Sequence, residues 1–271
     1  MSDGQEGRDW RDFLVGLCGV TMILFAILTI IYRAGTLDAL NTLRDLSPML
    51  LTGSPQWGPL RGGFSTNIQI SLWAMAISLC LGFLLGTGLI SRYGSIRLPS
   101  VFVMNTLRNS PWLVILYAML YAVPYEIGIG RTTFEISPEV KAIIGLSLPT
   151  LANIAEVFRA GIQSIRAGQW EAARSLGYSS GQITRLIILP QALPLMLPNL
   201  MTTYAALFIG TSLVVVTGAN DLLAVARVVI GSGAEKYATA IYIYILFVYF
   251  IFSFPIAIWT RRLERQVRAG K

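Results

Sequence analysis

The segment at residues 169–191, QWEAARSLGYSSGQITRLIILPQ, carries two short, charged helical patterns between long apolar stretches of the chain. Gly177 is placed to end the first helix, because glycine enters the left-handed conformation without penalty. Ser179, with Gln182 three residues later, is a capping box that starts a second helix running towards Pro190. The segment therefore predicts a helix, a sharp turn and another helix, which we call the elbow (residues 169–191).

Two interpretations fit the elbow as a pattern. Within its first helix, Glu171 and Arg174 are three positions apart and are expected to pair. An amphipathic connector that rests among lipid headgroups has this character. So does a helix that docks into a groove on a soluble partner. Periodicity alone leaves both open.

The composition of the chain is that of a polytopic membrane protein. Of its 271 residues, 54% are hydrophobic and 13% are charged, and the mean hydropathy is +0.63. Soluble domains carry about 25% charged residues. An ordinary soluble domain is therefore excluded.

Apolar runs locate the predicted spans, because a bilayer core of ~30 Å needs about 20 helical residues. Four runs contain no Asp, Glu, Lys or Arg: 13–32, 64–91, 186–220 and 237–260. Two further spans carry charges: 98–123, with Arg108, and 139–162, with Lys141, Glu156 and Arg159. We expect an all-α fold with about six transmembrane helices, in which the long run 186–220 begins at the interface and spans with its centre.

Basic residues predict the orientation of these spans. With the C-terminus inside, thirteen Lys and Arg face the cytoplasm and six face outwards. Both termini are then cytoplasmic, and so is the elbow. The span at 13–32 is longer than the apolar core of a signal peptide and follows an acidic segment, which favours a retained anchor. Residues 34–63, rich in Gly, Pro and Ser, are expected to form an external loop.

Several classes of site are not expected. Cys18 and Cys80 fall inside spans, and the chain has no histidine, so neither a disulfide framework nor a histidine metal site is predicted. No phosphate-binding glycine loop is present, which excludes ATP binding by that route. We expect no cofactor. The net charge of +7 is explained by inward-facing loops and a C-terminal cluster that meets anionic lipid, so no nucleic acid partner is expected.

The elbow also resembles the EAA loop of bacterial ABC importer permeases, written E-A-A-x3-G-x9-I-x-L-P. Seven residues match at those spacings: Glu171, Ala172, Ala173, Gly177, Ile187, Leu189 and Pro190. The wider text, AEVFRAGIQSIRAGQWEAARSLG at 155–177 and ILPQALPLMLPN at 188–199, is similar to the permeases for histidine, glutamine, glutamate, arginine and related solutes. The resemblance covers roughly residues 64–265.

This resemblance implies a type I ABC importer permease fold, with the elbow as a cytoplasmic coupling helix. Residues 64–271 would form the core permease domain, and residues 1–63 an extra transmembrane helix with its external loop. The implied partners are ABC ATPase subunits, a second permease chain and a periplasmic solute-binding protein. The implied substrate is a polar amino acid, and ATP hydrolysis belongs to the partner. The implied location is the bacterial inner membrane.

Polar residues inside spans are candidates for the solute path or gate, because charge in a bilayer is costly. The candidates are Arg108, Asn153, Glu156, Arg159, Thr211 and Ser212. Glu156 is suited to face a solute ammonium group, or else to form a structural ion pair with Arg159 or Arg108. The hydroxyls of Thr211 and Ser212 have the alternative of bonding back to helix carbonyls. Arg108 has the alternative of extending towards the membrane surface.

The sequence departs from the family pattern at two places, so the resemblance does not identify the solute. Relatives often read Lys-Asp-Thr-Ser-Leu where this chain reads Ile-Gly-Thr-Ser-Leu at 209–213, and Asn109 and Ser110 replace the usual Gly-Thr before Pro111. Three other functions remain: an importer permease for another small polar solute, a secondary transporter, and a membrane scaffold. A secondary transporter typically shows paired repeats with broken helices, which are not seen in the sequence. Copurification of an ATPase distinguishes an importer from a secondary transporter or a scaffold.

Overall fold

The computed structural model describes residues 3–54, 60–129 and 132–269, which are almost entirely helical. The helices are α1 Asp3–Tyr32, α2 Thr36–Thr52, α3 Gly63–Leu89, α4 Gly94–Asn109, α5 Trp112–Ala122, α6 Pro138–Gln163, α7 Ala167–Ser175, α8 Ser180–Gln182, α9 Leu189–Gly210, α10 Leu222–Val229 and α11 Ala238–Ala269. A hairpin of β1 Glu126–Ile129 and β2 Thr132–Glu135 joins α5 to α6. A π-helical segment, Ile183–Ile188, connects α8 to α9, and a 3-10 segment, Thr211–Thr217, extends α9.

Five helical runs in the described part of the chain are long and apolar enough to cross a membrane. They are Leu14–Thr52, Gly63–Leu89, Pro138–Gln163, Ser180–Thr217 and Leu222–Val267. Four of these overlap the predicted uncharged spans, and Pro138–Gln163 matches the predicted charged span 139–162. The first run covers most of α1 and all of α2, and the last covers α10 and most of α11.

The other predicted charged span, 98–123, is wrong as a single helix. The chain is extended at Ser110 and Pro111, with ψ of 134° and 129°, and this separates α4 from α5. Proline disfavours helical backbone in the residue before it and supplies no N–H group, which explains the break. The 11 residues of α5 extend only about 17 Å, too short for a bilayer core.

The expected external loop at 34–63 is also wrong for much of its length, because it contains helix α2. Ala39, Leu43 and Leu50 are buried in an apolar cluster with residues of α10 and α11. Their spacing is helical, but Pro48 and the polar neighbours hide the pattern in the sequence. The two N-terminal helices, α1 and α2, therefore pack onto α10 and α11.

Within the described part of the chain, helices α3 and α6 share the most extensive packing of any two elements. A Cβ atom placed on Gly82 would lie 2.8 Å from the side chain of Ile154, and one on Gly86 would lie 2.7 Å from the ring of Phe158. The two glycines thus allow the helices to approach closely, as small residues do in membrane proteins. Because interiors packed in this way resist deformation, α3 and α6 are expected to move as one body.

The buried ammonium group of Lys141 is hydrogen-bonded at the C-terminal end of α5. Its side chain is fully buried, and Nζ donates to the carbonyl oxygen of Val123 at 2.7 Å. Nζ also lies 3.3 Å from the ring centroid of Tyr125, beside the hairpin. A cation at a helix C-terminus meets the negative end of the helix dipole, and the ring adds a cation–π contact. Lys141 therefore fixes the junction between α5, the hairpin and α6.

Candidate functional site: the elbow and a polar cluster on α6

The turn of the elbow has the geometry that the sequence predicts. Gly177 has a φ of +82°, in the left-handed region. Its N–H donates to the carbonyl oxygen of Arg174 at 2.9 Å, and the N–H of Tyr178 donates to that of Ala173 at 3.2 Å. These two bonds make a Schellman motif, which closes α7 and reverses the chain.

The second helix of the elbow starts at the predicted capping box. The N–H of Ser179 donates to Oε1 of Gln182 at 2.9 Å, and the Ser179 side chain accepts from the backbone of Gln182. The next six residues, Ile183–Ile188, are π-helical and end just before Pro190. Proline lacks an N–H group and crowds the preceding turn, so a wider turn accommodates it.

The elbow is anchored in the bundle on its inner side. Ala173, Ile183 and Ile188 are buried in one apolar cluster with Phe158 of α6 and Met196 of α9. A displacement of the elbow would therefore be transmitted directly to two long helices.

The outer side of the elbow is free to meet a partner. Of the seven residues that match the EAA pattern, Ala173 is buried, Ile187 and Leu189 are half-buried, and the other four are exposed: Glu171, Ala172, Gly177 and Pro190. Leu176, at the turn, is 76% exposed. The predicted pair of Glu171 with Arg174 is wrong, since the ion pairs found in the described residues join Glu156 to Arg108 and Arg159 instead. The Glu171 and Arg174 side chains are thus left available on the surface.

Three of the predicted path residues meet in a polar cluster between α4 and α6. Both oxygens of Glu156 accept from Arg159, from Nη2 at 2.6 Å and from Nε at 2.7 Å. Arg108, in the last turn of α4, places Nη1 3.9 Å from Oε1 of Glu156 and is 47% exposed. The cluster holds two cations and one anion, so it carries a net positive charge. Its least engaged group is the Arg108 guanidinium.

The remaining path candidates lie outside this cluster. Asn153 is half-buried on α6, one turn before Glu156, and no hydrogen bond of its side chain is seen within the described residues. Thr211 is buried, and its Oγ1 donates to the carbonyl oxygen of Phe208 at 2.6 Å. Oγ of Ser212 donates to the carbonyl oxygen of Ile209 at 2.9 Å. Both hydroxyls therefore bond back to helix carbonyls, the alternative that the sequence left open.

Thr211 belongs to a buried network of hydrogen bonds around Asn67, which we call the hub and which the sequence did not predict. Nδ2 of Asn67 donates to Oη of Tyr249 at 2.9 Å and to Oγ1 of Thr211 at 3.2 Å, while Oδ1 of Asn67 accepts from the N–H of Leu222 at 2.9 Å. Asp221 caps α10, because its Oδ1 accepts from the N–H of Ala224 at 2.9 Å. The hub ties together α3, α10, α11 and the end of α9.

Comparison with known proteins settles the family. The family described as the binding-protein-dependent transport system inner membrane component matches residues 78–269, and these residues contain the elbow and the polar cluster. The chain belongs to this family. The chain therefore has the all-helical permease fold of this family.

Individual relatives extend the comparison. The chain is 32% identical over 206 residues to the probable glutamine ABC transporter permease protein GlnP of Bacillus subtilis, covering 74% of this chain and 90% of GlnP. It is 32% identical over 217 residues to the inner membrane amino-acid ABC transporter permease protein YhdY of Escherichia coli. That match covers 80% of this chain but 57% of YhdY, so the chain spans little more than half of that relative.

A solved structure has the same fold. The crystal structure of an amino acid ABC transporter with histidines aligns with a TM-score of 0.70 and 25% identity. The alignment covers 83% of this inner membrane component and 97% of that chain. The described fold is thus that of a chain in an amino acid ABC transporter.

Proposed function

We propose that this protein is the permease subunit of an ATP-driven ABC importer for polar amino acids. The relatives that support the proposal are permeases named for amino acids or glutamine. Two such permease chains would form the path through the inner membrane, and a periplasmic binding protein would deliver the solute. Residues 64–271 would be the core domain, with 1–63 as an addition to it.

The main support for the proposal is that the elbow is buried against the bundle on one side and exposed on the other. Its inner side is locked to α6 and α9 through Ala173, Ile183 and Ile188, while its outer side presents Glu171, Ala172 and Leu176. A helix that is exposed on one side and rigidly anchored on the other is suited to a mechanical role. An ATPase subunit that grips the outer side would move the bundle when it hydrolyses ATP.

The polar cluster is the proposed contact for the solute or gate. Both oxygens of Glu156 are occupied by Arg159, which leaves Glu156 poorly placed to bind a solute ammonium group. No hydrogen bond from the Arg108 side chain is found among the described residues, and Arg108 sits in a cluster of net positive charge. A guanidinium binds a carboxylate in a bidentate manner, so Arg108 is suited to the carboxylate of an amino acid.

The proposed orientation places both termini and the elbow in the cytoplasm. It rests on the excess of Lys and Arg assigned to that side. Fusions of a fluorescent protein and of alkaline phosphatase to the C-terminus test it. Fluorescence without phosphatase activity supports the proposed orientation, and the opposite result contradicts it.

Copurification tests the proposed partner. The tagged chain, extracted from its native membrane in mild detergent, should retain an ABC ATPase subunit, identified by mass spectrometry and by ATP hydrolysis in the eluate. A chain that purifies folded and without an ATPase, both at low salt and after cross-linking, would contradict the proposal. Active uptake by such a chain alone would favour a secondary transporter.

A further inference from the structure

The segment that joins α3 to α4 lies against the elbow, although the two are far apart in sequence. We call residues 90–97 the α3–α4 junction. Ile90 packs in the same apolar cluster as Trp170 and Ala173 of the elbow region. Nη2 of Arg92 donates to Oγ of Ser180 at 2.6 Å, across 88 residues of chain. The junction is thus held to the elbow by the apolar packing of Ile90 and by the hydrogen bond from Arg92.

Each end of this hydrogen bond has an exposed tyrosine close by in the sequence. Tyr93 follows Arg92 directly and is 72% exposed, and Tyr178 precedes Ser180 by two positions and is 40% exposed. Ile96, in the first turn of α4, is 49% exposed. Large apolar groups exposed together mark an interaction surface, and tyrosine is enriched in protein interfaces.

Charge on this surface has one dominant sign. Five arginines are exposed in the junction and around the elbow, against one exposed carboxylate, that of Glu171. The arginines are Arg92, Arg97, Arg166, Arg174 and Arg185. A basic surface that also exposes apolar groups complements an acidic protein surface.

A lipid surface also attracts arginine and tyrosine, but the geometry favours a protein partner. The Arg92 guanidinium points to Ser180 rather than being left for a lipid phosphate, so it organises the surface of the elbow. The surface is moreover continuous with the outer side of the elbow, where the proposed ATPase sits.

We infer that the α3–α4 junction is a second contact of the ATPase subunit, and that Arg92 is the positioning residue that holds it beside the elbow. This inference rests on the proposed function. It predicts that the docked ATPase touches α4 directly, so that its motion reaches α4 as well as α6 and α9. Because α4 carries Arg108, the junction links the ATPase to both sides of the polar cluster.

Photo-cross-linking in the assembled transporter tests the contact. Benzoylphenylalanine is introduced singly at Tyr93 in the junction, at Leu176 in the elbow, or at Phe102 further along α4, which is 71% exposed. We expect cross-links to the ATPase from positions 93 and 176 and none from 102. A cross-link from 176 without one from 93 overturns the inference and leaves the proposed function standing. Cross-linking of position 93 to lipid alone also overturns it. Absence of cross-links from both 93 and 176 overturns the proposed function itself.

Substitutions test the role of Arg92 in the same complex. Arg92→Gln and Ser180→Ala should each lower the cross-linking yield from position 93 by about fivefold, because a hydrogen bond to a charged group is lost. The double variant should lose no more than either single one, since both remove the same bond. Arg44→Gln, which removes an exposed charge from α2, outside the junction and the elbow, is the control and should leave the yield unchanged. An unchanged yield in Arg92→Gln, or equal losses in Arg92→Gln and Arg44→Gln, overturns the positioning role.

Discussion

At the scale of single residues, Asp221 is the group that most directly links pH to stability. Its carboxyl is fully buried, and no described residue forms a hydrogen bond with Oδ2. Burial raises the pKa of Asp221 to about 6, partly offset by the N–H of Ala224. The folded state therefore binds this proton more tightly than the unfolded state does. The resulting stability is present below the unfolded pKa near 4 and is lost as pH rises through about 6.

The expected result is a detergent-solubilised chain that unfolds at lower temperature at pH 8 than at pH 5. Asp221→Asn keeps an oxygen for the N–H of Ala224 but carries no charge. It should remove this part of the pH dependence and stabilise the chain at pH 8 by up to about 3 kcal/mol. Thermal unfolding of both forms across this range measures the difference. Parallel pH curves for the two forms would show that Asp221 is not the group responsible.

Glu156 gives a second prediction at this scale. Glu156→Gln removes the anion that holds Arg159 and Arg108, so the geometry of the polar cluster should relax. The cluster is partly exposed, so the loss of stability should be about 1 kcal/mol or less. We expect near-normal folded yield and at least about a fivefold fall in ATP-driven uptake, a loss of positioning near 1 kcal/mol.

Glu235→Gln, which changes an exposed carboxylate in a 3-10 turn, is the control for Glu156→Gln. It should leave both yield and uptake unchanged. Normal uptake in Glu156→Gln would remove the cluster from the solute path. A collapse in folded yield would assign it a purely structural role.

At the scale of elements, the turn of the elbow controls the relation between α7 and the helix that follows. A Cβ atom at Gly177 meets no atom within 4 Å, so Gly177→Val is opposed by the backbone alone, at about 1–2 kcal/mol. That is too little to prevent membrane insertion but enough to shift one helix against the other. We expect normal insertion, weaker ATPase association and hydrolysis that is uncoupled from uptake.

The chain provides a matched control in Gly181→Val. Gly181 also has open space around its Cβ position, but it lies in ordinary helical backbone. This variant should keep ATPase association and the ratio of solute transported to ATP hydrolysed. Full association and full uptake in Gly177→Val would contradict the coupling role of the elbow.

The elbow was predictable because its signals are local. A left-handed glycine and a capping box each depend on a few neighbouring residues, and both occur in the structure at Gly177, Ser179 and Gln182. Pro111 was an equally local signal for the break between α4 and α5. The long apolar run around it nevertheless led to the prediction of a single span. Helix α2 was missed because Pro48 and polar residues conceal a face whose apolar role appears only when α10 and α11 pack against it.

Contacts that join distant parts of the chain were not predictable from the sequence. Lys141 was noted as a charge inside a span, but its carbonyl and aromatic partners belong to the end of α5 and the hairpin region. Arg92 reaches Ser180 across 88 residues. The pairing of Glu156 was anticipated as an alternative, since Arg159 lies one helical turn away.

At the scale of the whole molecule, the structure supports one mechanical scheme. The close α3–α6 pair forms a central body, and the elbow is anchored to α6 and α9. Helix α4 is tied to the elbow near one end by Arg92 and to α6 at the other by Arg108. A force on the elbow would therefore move the polar cluster as part of the same body, which is how ATP hydrolysis would open or close the path.

Transport by reconstituted vesicles tests this central claim most directly. The chain is placed in liposomes with or without its ATPase subunit, ATP is enclosed, and the binding protein is added outside with radiolabelled glutamine, glutamate, histidine or arginine. The account predicts uptake of at least one solute only when the ATPase and hydrolysable ATP are both present. Uptake by the chain alone, driven by a proton or sodium gradient, would contradict it.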